Sequence, residues 1–157
     1  MKVHIDTREQ SPLEFSHPYI TDIIHSTLHY GDYCVEYADG YIPPVEFERK
    51  GLGDLFGTLS GNRNYKRFRR KLIKAKTANV KVILMIEGSL DKVLRGYERS
   101  NRNPEELVRQ LFMLWVKYDL IPIFAKDREQ MARIMVEYWL AIGRLKGKKG
   151  SEGGYED

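Results

Sequence analysis

The chain contains a single cysteine, Cys34, so no intramolecular disulfide can form, and a reducing cytoplasm suits it. A lone thiol in a tyrosine-rich stretch is expected to be a small buried apolar group. Long apolar runs are also missing, and none approaches the roughly 18 residues of a membrane span. The opening Met1-Lys2-Val3-His4-Ile5-Asp6 has no extended apolar core of the signal-peptide kind. The expectation is a soluble protein with no membrane partner. Histidines are few: His25 and His29 stand four apart, but Thr27, Tyr30 and Tyr33 favour extended chain there, and no zinc site is predicted.

The most informative absence concerns charge of one sign. Net charge is only +4, yet Arg63, Lys66, Arg67, Arg69, Arg70, Lys71, Lys74, Lys76 and Lys81 follow one another with no acidic residue among them. Such a run is either a solvated helix face or a surface for phosphate. Its position just after the acidic and basic residues described below favours phosphate.

At 157 residues the chain is long enough to bury one core around a central sheet without disulfides or a structural metal. Val3 to Asp6 reads as a strand, and a segment carrying Pro12 and Pro18 reads as irregular. Thr27 to Tyr37 and Val45 to Glu48 read as antiparallel neighbours that bring Asp32 opposite Glu48. Gly51-Leu52-Gly53-Asp54 opens a helix through about Leu59, and a basic helix spans roughly Tyr65 to Lys76. Val80 to Ile86 is almost continuously apolar, the mark of a strand covered on both faces. Asn103-Pro104-Glu105-Glu106 supplies a cap and first-turn acids for a helix whose apolar positions run Leu107, Leu111, Leu114, Trp115 and Tyr118. A short strand over Leu120 to Phe124 and a helix with Met131, Ile134, Met135, Tyr138 and Ile142 on one stripe complete the order. Strand, helix, strand, helix from residue 80 onward predicts parallel pairing, joined to an antiparallel N-terminal portion: an α/β fold with a mixed sheet flanked by helices. Residues 1–146 are expected to form the domain. Residues 147–157, Gly-rich and charged, read as a disordered tail or the stub of a linker.

Within this order, Glu48 and Lys50 lie on one face of a strand and Arg49 on the other. Glu48 with Asp32 offers a hard divalent cation two carboxylates, leaving room for water and a phosphate oxygen. Lys50 is placed to orient that water or to stabilise charge developing on phosphorus. Asp54 can approach the same cation directly or through water, and Asp6 and Glu9 can add carboxylates from the end of the first strand. Acids crowded in this way repel one another and raise some of their pKa values, so their convergence itself predicts a metal.

The pattern reads Gly31-Asp32, fifteen residues, Glu48-Arg49-Lys50, three residues, Asp54. It resembles the GD…ERKxxxD signature of the nuclease domain of the XPF family of structure-specific endonucleases. Asp6-Thr7-Arg8-Glu9 is similar to the family's opening motif, and the resemblance extends through Tyr65-Lys66-Arg67 and Glu87-Gly88-Ser89 to about Ile142. It implies a restriction-endonuclease-like core that cuts branched, flap or fork DNA, or DNA with single-stranded segments, using Mg²⁺ or Mn²⁺, in the service of DNA repair. Asp32, Glu48 and Asp54 would be the metal-associated acids and Lys50 the catalytic lysine. Arg49 would be a required basic residue near the scissile phosphate, with Asp6, Arg8 and Glu9 supporting the site. Arg63, Lys66, Arg67 and Arg70 are the expected DNA contacts. A homodimer is expected too, with Trp115, Tyr138 and Trp139 marking apolar surface on the last two helices. Family members commonly carry a tandem helix-hairpin-helix module after this domain. No such module fits within this sequence, which reads as a stand-alone nuclease domain or as part of a longer protein. Two other readings stay open: a non-catalytic DNA-binding subunit, and a duplex nuclease that recognises sequence. Tyr65 and Phe68 are read as core anchors beneath the charged face rather than base-stacking platforms.

Overall fold

The computed structural model describes residues 1–149, with side chains through Gly147. Six strands form one mixed sheet: β1 Lys2–Asp6, β2 Asp22–Ser26, β3 Tyr33–Glu36, β4 Val45–Lys50, β5 Lys81–Glu87 and β6 Ile121–Ala125. The spatial order is β2-β1-β3-β4-β5-β6. The β4, β5 and β6 strands run parallel, as the alternation of helices and strands requires, whereas β3 pairs antiparallel with both β1 and β4. The helices are α1 Leu52–Ser60, α2 Asn62–Thr77, α3 Leu90–Leu94, α4 Pro104–Tyr118 and α5 Arg128–Lys149.

The alternation of β5 shows how the layers are divided. Ile83 and Met85 pack with Val3, Ile5, Phe47, Met131, Met135 and Trp139 beneath α5. Val82, Leu84 and Ile86 face the other way, joining Leu55, Phe56, Phe68, Leu72, Leu107 and Leu111 from α1, α2 and α4. A strand buried on both faces needs apolar residues at every position, which is why this run has no alternation. Cys34 is buried, as expected. Asn103 caps α4 by accepting from the Glu106 N–H at 3.1 Å, with Pro104 in the first turn, and the helix ends on Asp119 in the left-handed region.

Several boundaries differ from the sequence expectation. The stretch expected to be one extended run over Thr27–Tyr37 is a loop followed by β3. A separate edge strand, β2, precedes it and pairs parallel with β1, so the N-terminal portion is not wholly antiparallel. The short helix α3, capped by the Ser89 hydroxyl, carries only Val93 into the core and had no periodicity to announce it. The α2 helix starts at Asn62, a turn before Tyr65. The α5 helix continues to Lys149, three residues past the expected domain boundary. The rest of the expected tail, 150–157, lies outside the described residues. Trp139 is fully buried and so is a core residue rather than dimer surface, while the partly buried Tyr138 packs edge-on against Phe47 at 5.5 Å. No helix among the described residues is long and apolar enough to cross a membrane.

Candidate active site

The carboxyl ends of β1 and β4, the start of β3 and the first turn of α1 meet at one edge of the sheet. Asp32 sits just before β3, where its N–H donates to the Phe47 carbonyl at 2.7 Å and its carboxylate accepts the Arg49 N–H at 2.8 Å. These two bonds fix Asp32 beside Glu48. Gly31 makes the approach possible, because a Cβ there would stand 2.8 Å from the Phe47 carbonyl oxygen and 2.9 Å from the Glu46 Cβ. Asp32, Glu48 and Asp54 line a cleft of about 450 Å³ together with Arg8, Glu9, Gln10, Ser11 and Arg49.

The two faces of β4 separate the charges as its pleat dictates. Glu48, largely buried, accepts from Lys71 Nζ at 2.7 Å and lies 3.7 Å from Lys50 Nζ. Arg49 points the other way and grips Glu9 in a two-pronged ion pair, Nη2 to Oε1 at 2.6 Å and Nε to Oε2 at 3.0 Å. Tyr33 donates its hydroxyl to the same Glu9 at 3.2 Å. Burial alone would raise the Glu9 pKa, but the Arg49 guanidinium, the Ser11 N–H and the Tyr33 hydroxyl together outweigh burial and hold it below the usual range.

The Asp6 carboxylate is turned to its own loop rather than into the cleft. It is buried and occupied by Arg8 Nε at 2.8 Å and the Leu28 N–H at 2.9 Å. Burial opposes its ionisation, but the bonds from Arg8 and Leu28 prevail and lower its pKa. Asp6 therefore folds the loop that delivers Asp32, and Arg8, also bonded to the Leu28 carbonyl at 2.7 Å, ties the same loop.

Asp32 is driven in the opposite direction. Burial first, then the charge of Glu48, push its carboxyl up to about 7. A desolvated carboxyl held up against the charge of a neighbouring carboxylate is the situation a divalent cation relieves. Among the described residues no three His, Cys, Asp or Glu side chains already stand as a ready-made ligand cluster. One or two carboxylates completed by water and phosphate is nevertheless how Mg²⁺ is usually held, so Asp32 and Glu48 fit such an ion, with the exposed Asp54 within the same cleft.

The basic helix touches this site through Lys71, bonded to Glu48, and Phe68, beneath Lys50. Arg63, Lys66, Arg67 and Arg70 are all exposed at helical spacing on α2, and none makes an ion pair among the described residues. Phe68 is buried and Tyr65 partly so, as core anchors should be. His25 and His29 are exposed, on β2 and in the following loop. The residue missed at the site is Lys71. It stands inside the basic run, and helical periodicity alone could not distinguish a lysine turned onto an acid from its solvent-facing neighbours.

The ERCC4 domain model matches residues 5–138. Among solved structures, XPF from Aeropyrum pernix superposes with a TM-score of 0.66 at 19% identity, covering 96% of this chain and 69% of that one. XPF from Aeropyrum pernix in complex with DNA superposes with a TM-score of 0.64 at 22% identity, covering 94% and 66%. The chain thus spans about two thirds of these relatives and shares their restriction-endonuclease-like fold. No match is found among curated protein sequences. With the family match spanning both ends of the acidic cleft and nearly all of the sheet, the chain belongs to the ERCC4 domain family of XPF-type DNA endonucleases.

Proposed function

We propose that this chain is a Mg²⁺- or Mn²⁺-dependent endonuclease that hydrolyses a phosphodiester bond of DNA at flaps, forks or similar branches. The observation that carries the reading is the meeting of Asp32 and Glu48 in one cleft, with Asp54 on its wall and an acid-free basic helix bonded to Glu48 through Lys71. A divalent ion held by Asp32 and Glu48 would supply Lewis acidity for a water nucleophile and for phosphate charge. Lys50, beside Glu48 although not among the residues that line the cleft, would stabilise charge developing on phosphorus. Arg49, fixed by Glu9, presents a rigid cation at the cleft wall. Arg63, Lys66, Arg67 and Arg70 hold the phosphate backbone without reading sequence. The preference for branched DNA rests on the family.

The test is cleavage of flap, fork and plain duplex DNA with Mg²⁺ or EDTA. Cutting of the branched substrates in Mg²⁺, lost with Lys50→Ala, is expected. Undiminished cutting by Lys50→Ala would refute the site. Salt-sensitive, metal-independent binding without cutting would favour a non-catalytic subunit, and incision at one fixed duplex sequence would favour a sequence-specific enzyme.

We further propose that the active form is a homodimer, through α4 rather than α5. Met113 and Val116 are 63% and 86% exposed and sit beside Phe112 and Trp115, an apolar face a monomer leaves in water. Sedimentation should give two chains for the parent protein and one for the Met113→Glu, Val116→Glu double variant. A parent protein that sediments as a monomer at tens of micromolar would remove the proposal.

A further inference from the structure

Glu48 is shared between two ammonium groups of different origin. Lys50 belongs to the same strand two residues on. Lys71 reaches down from α2, and its Nζ donates to Oε2 at 2.7 Å, while Lys50 Nζ lies 3.7 Å from Oε1. The ring of Phe68 lies near both, its centroid 5.3 Å from Lys50 Nζ and 5.5 Å from Lys71 Nζ. Among the described residues, Lys71 is the one cation of the basic run that pairs with an acid of the cleft. The rest of the run near it, Arg67, Arg70 and Lys74, is exposed and turned to solvent.

This arrangement creates a conflict. A buried carboxylate that already holds an ammonium at hydrogen-bond distance cannot also hold a divalent cation without placing two positive centres within a few ångströms of each other in a poorly screened site. One of them must yield. Lys50 is confined to the strand beside Glu48 and only 13% exposed, whereas Lys71 is 30% exposed, on a long flexible stem rooted among solvent-facing cations. Lys71 is therefore the group free to leave.

We propose that Lys71 is a positioning residue that holds Glu48 ready while the cleft is empty and surrenders it to the divalent cation. Its ammonium then joins Arg67 and Arg70 on the face that meets the DNA backbone. The inference rests on the reading of Asp32 and Glu48 as cation ligands. It couples two binding events: a phosphate that attracts Lys71 away from Glu48 strengthens cation binding, and the cation strengthens DNA binding by the same factor.

The test is Mn²⁺ titration of the full chain without DNA, followed by the spectrum of the free ion, in the parent protein, Lys71→Gln and Lys71→Arg. Removal of the competing charge should tighten Mn²⁺ binding about tenfold in Lys71→Gln. Lys71→Arg, which keeps the charge, should bind as the parent does. A second readout is the ratio of DNA affinities with and without Ca²⁺, which should fall toward one in Lys71→Gln. A Lys71 that merely props the helix would leave Mn²⁺ affinity unchanged or weaken it, and either result in a parent protein that binds Mn²⁺ and cuts DNA overturns the inference alone. A parent protein that neither binds Mn²⁺ nor cuts overturns the cation reading of the cleft, and the inference with it.

Discussion

In metal-free buffer at pH 8, Asp32→Asn is expected to be more stable than the parent protein by roughly 1–3 kcal/mol, while its cleavage rate falls by about three orders of magnitude. The stability gain follows from the direction in which Asp32 is driven. Its carboxyl keeps a proton up to about pH 7 in the folded chain but releases it near 3.8 when unfolded. Between those values the folded state binds more protons than the unfolded one, so stability declines as pH rises through this window. The penalty is absent below about pH 4 and complete above about pH 7. An asparagine carries no charge, and its carbonyl can still accept the Arg49 N–H, so it avoids the penalty without losing the bond.

Thermal melts in EDTA at pH 4.5 and pH 8 provide the measurement. The variant should melt within a degree or two of the parent at the lower pH and several degrees above it at the higher one. Equal melting points at both pH values would mean that Asp32 is not strained. A cation bound by the parent should narrow the gap at pH 8, because it stabilises only the protein that binds it. For the same reason, raising Mg²⁺ should shift the acid limb of the parent's cleavage profile to lower pH.

The strands that bury both faces and the helix with a conventional cap were legible because their determinants are local: the unbroken apolar run of β5, or Asn103-Pro104 before α4. The spacing from Asp32 through Glu48 to Asp54 likewise placed three acids in one cleft, since pleat and first helical turn fix the directions. What stayed hidden depends on partners distant in sequence. The loop between β2 and β3 resembles a strand in composition, yet its N–H groups are taken by side chains: Leu28 by Asp6, and Tyr30 by Glu46 at 2.8 Å. Backbone claimed by carboxylates cannot join a ladder. Edge strand β2 has one paired side and an exposed outer face, so neither alternation nor an apolar run marks it. The division between Asp6, which folds a loop, and Glu9, which reaches the cleft wall, is also invisible in the DTRE segment. It depends on which cation each acid meets.

That last distinction gives Arg49 its clearest test. The family resemblance implies that Arg49 stands near the scissile phosphate, but in the folded chain its guanidinium is already committed to Glu9, whose side chain is only 5% exposed. Replacing Arg49 by Met leaves a desolvated carboxylate facing no cation, and a cost of about 3–5 kcal/mol is expected. Adding Glu9→Gln removes that stranded charge, while the amide can still accept the Ser11 N–H that reaches Glu9 Oε1 at 3.0 Å. The double variant should therefore regain half or more of the lost stability, and the two substitutions should be strongly non-additive in urea melts. Additive losses would mean that the pair contributes nothing as a pair. Cleavage separates the structural role from the chemical one. If Arg49 only braced β4 against the first loop, the stable double variant would cut DNA again. Because Arg49 also lines the cleft beside Asp32 and Glu48, the double variant is expected to fold and bind DNA yet remain at least a hundredfold slower than the parent, the usual size of a lost preorganised cation at a developing phosphate charge.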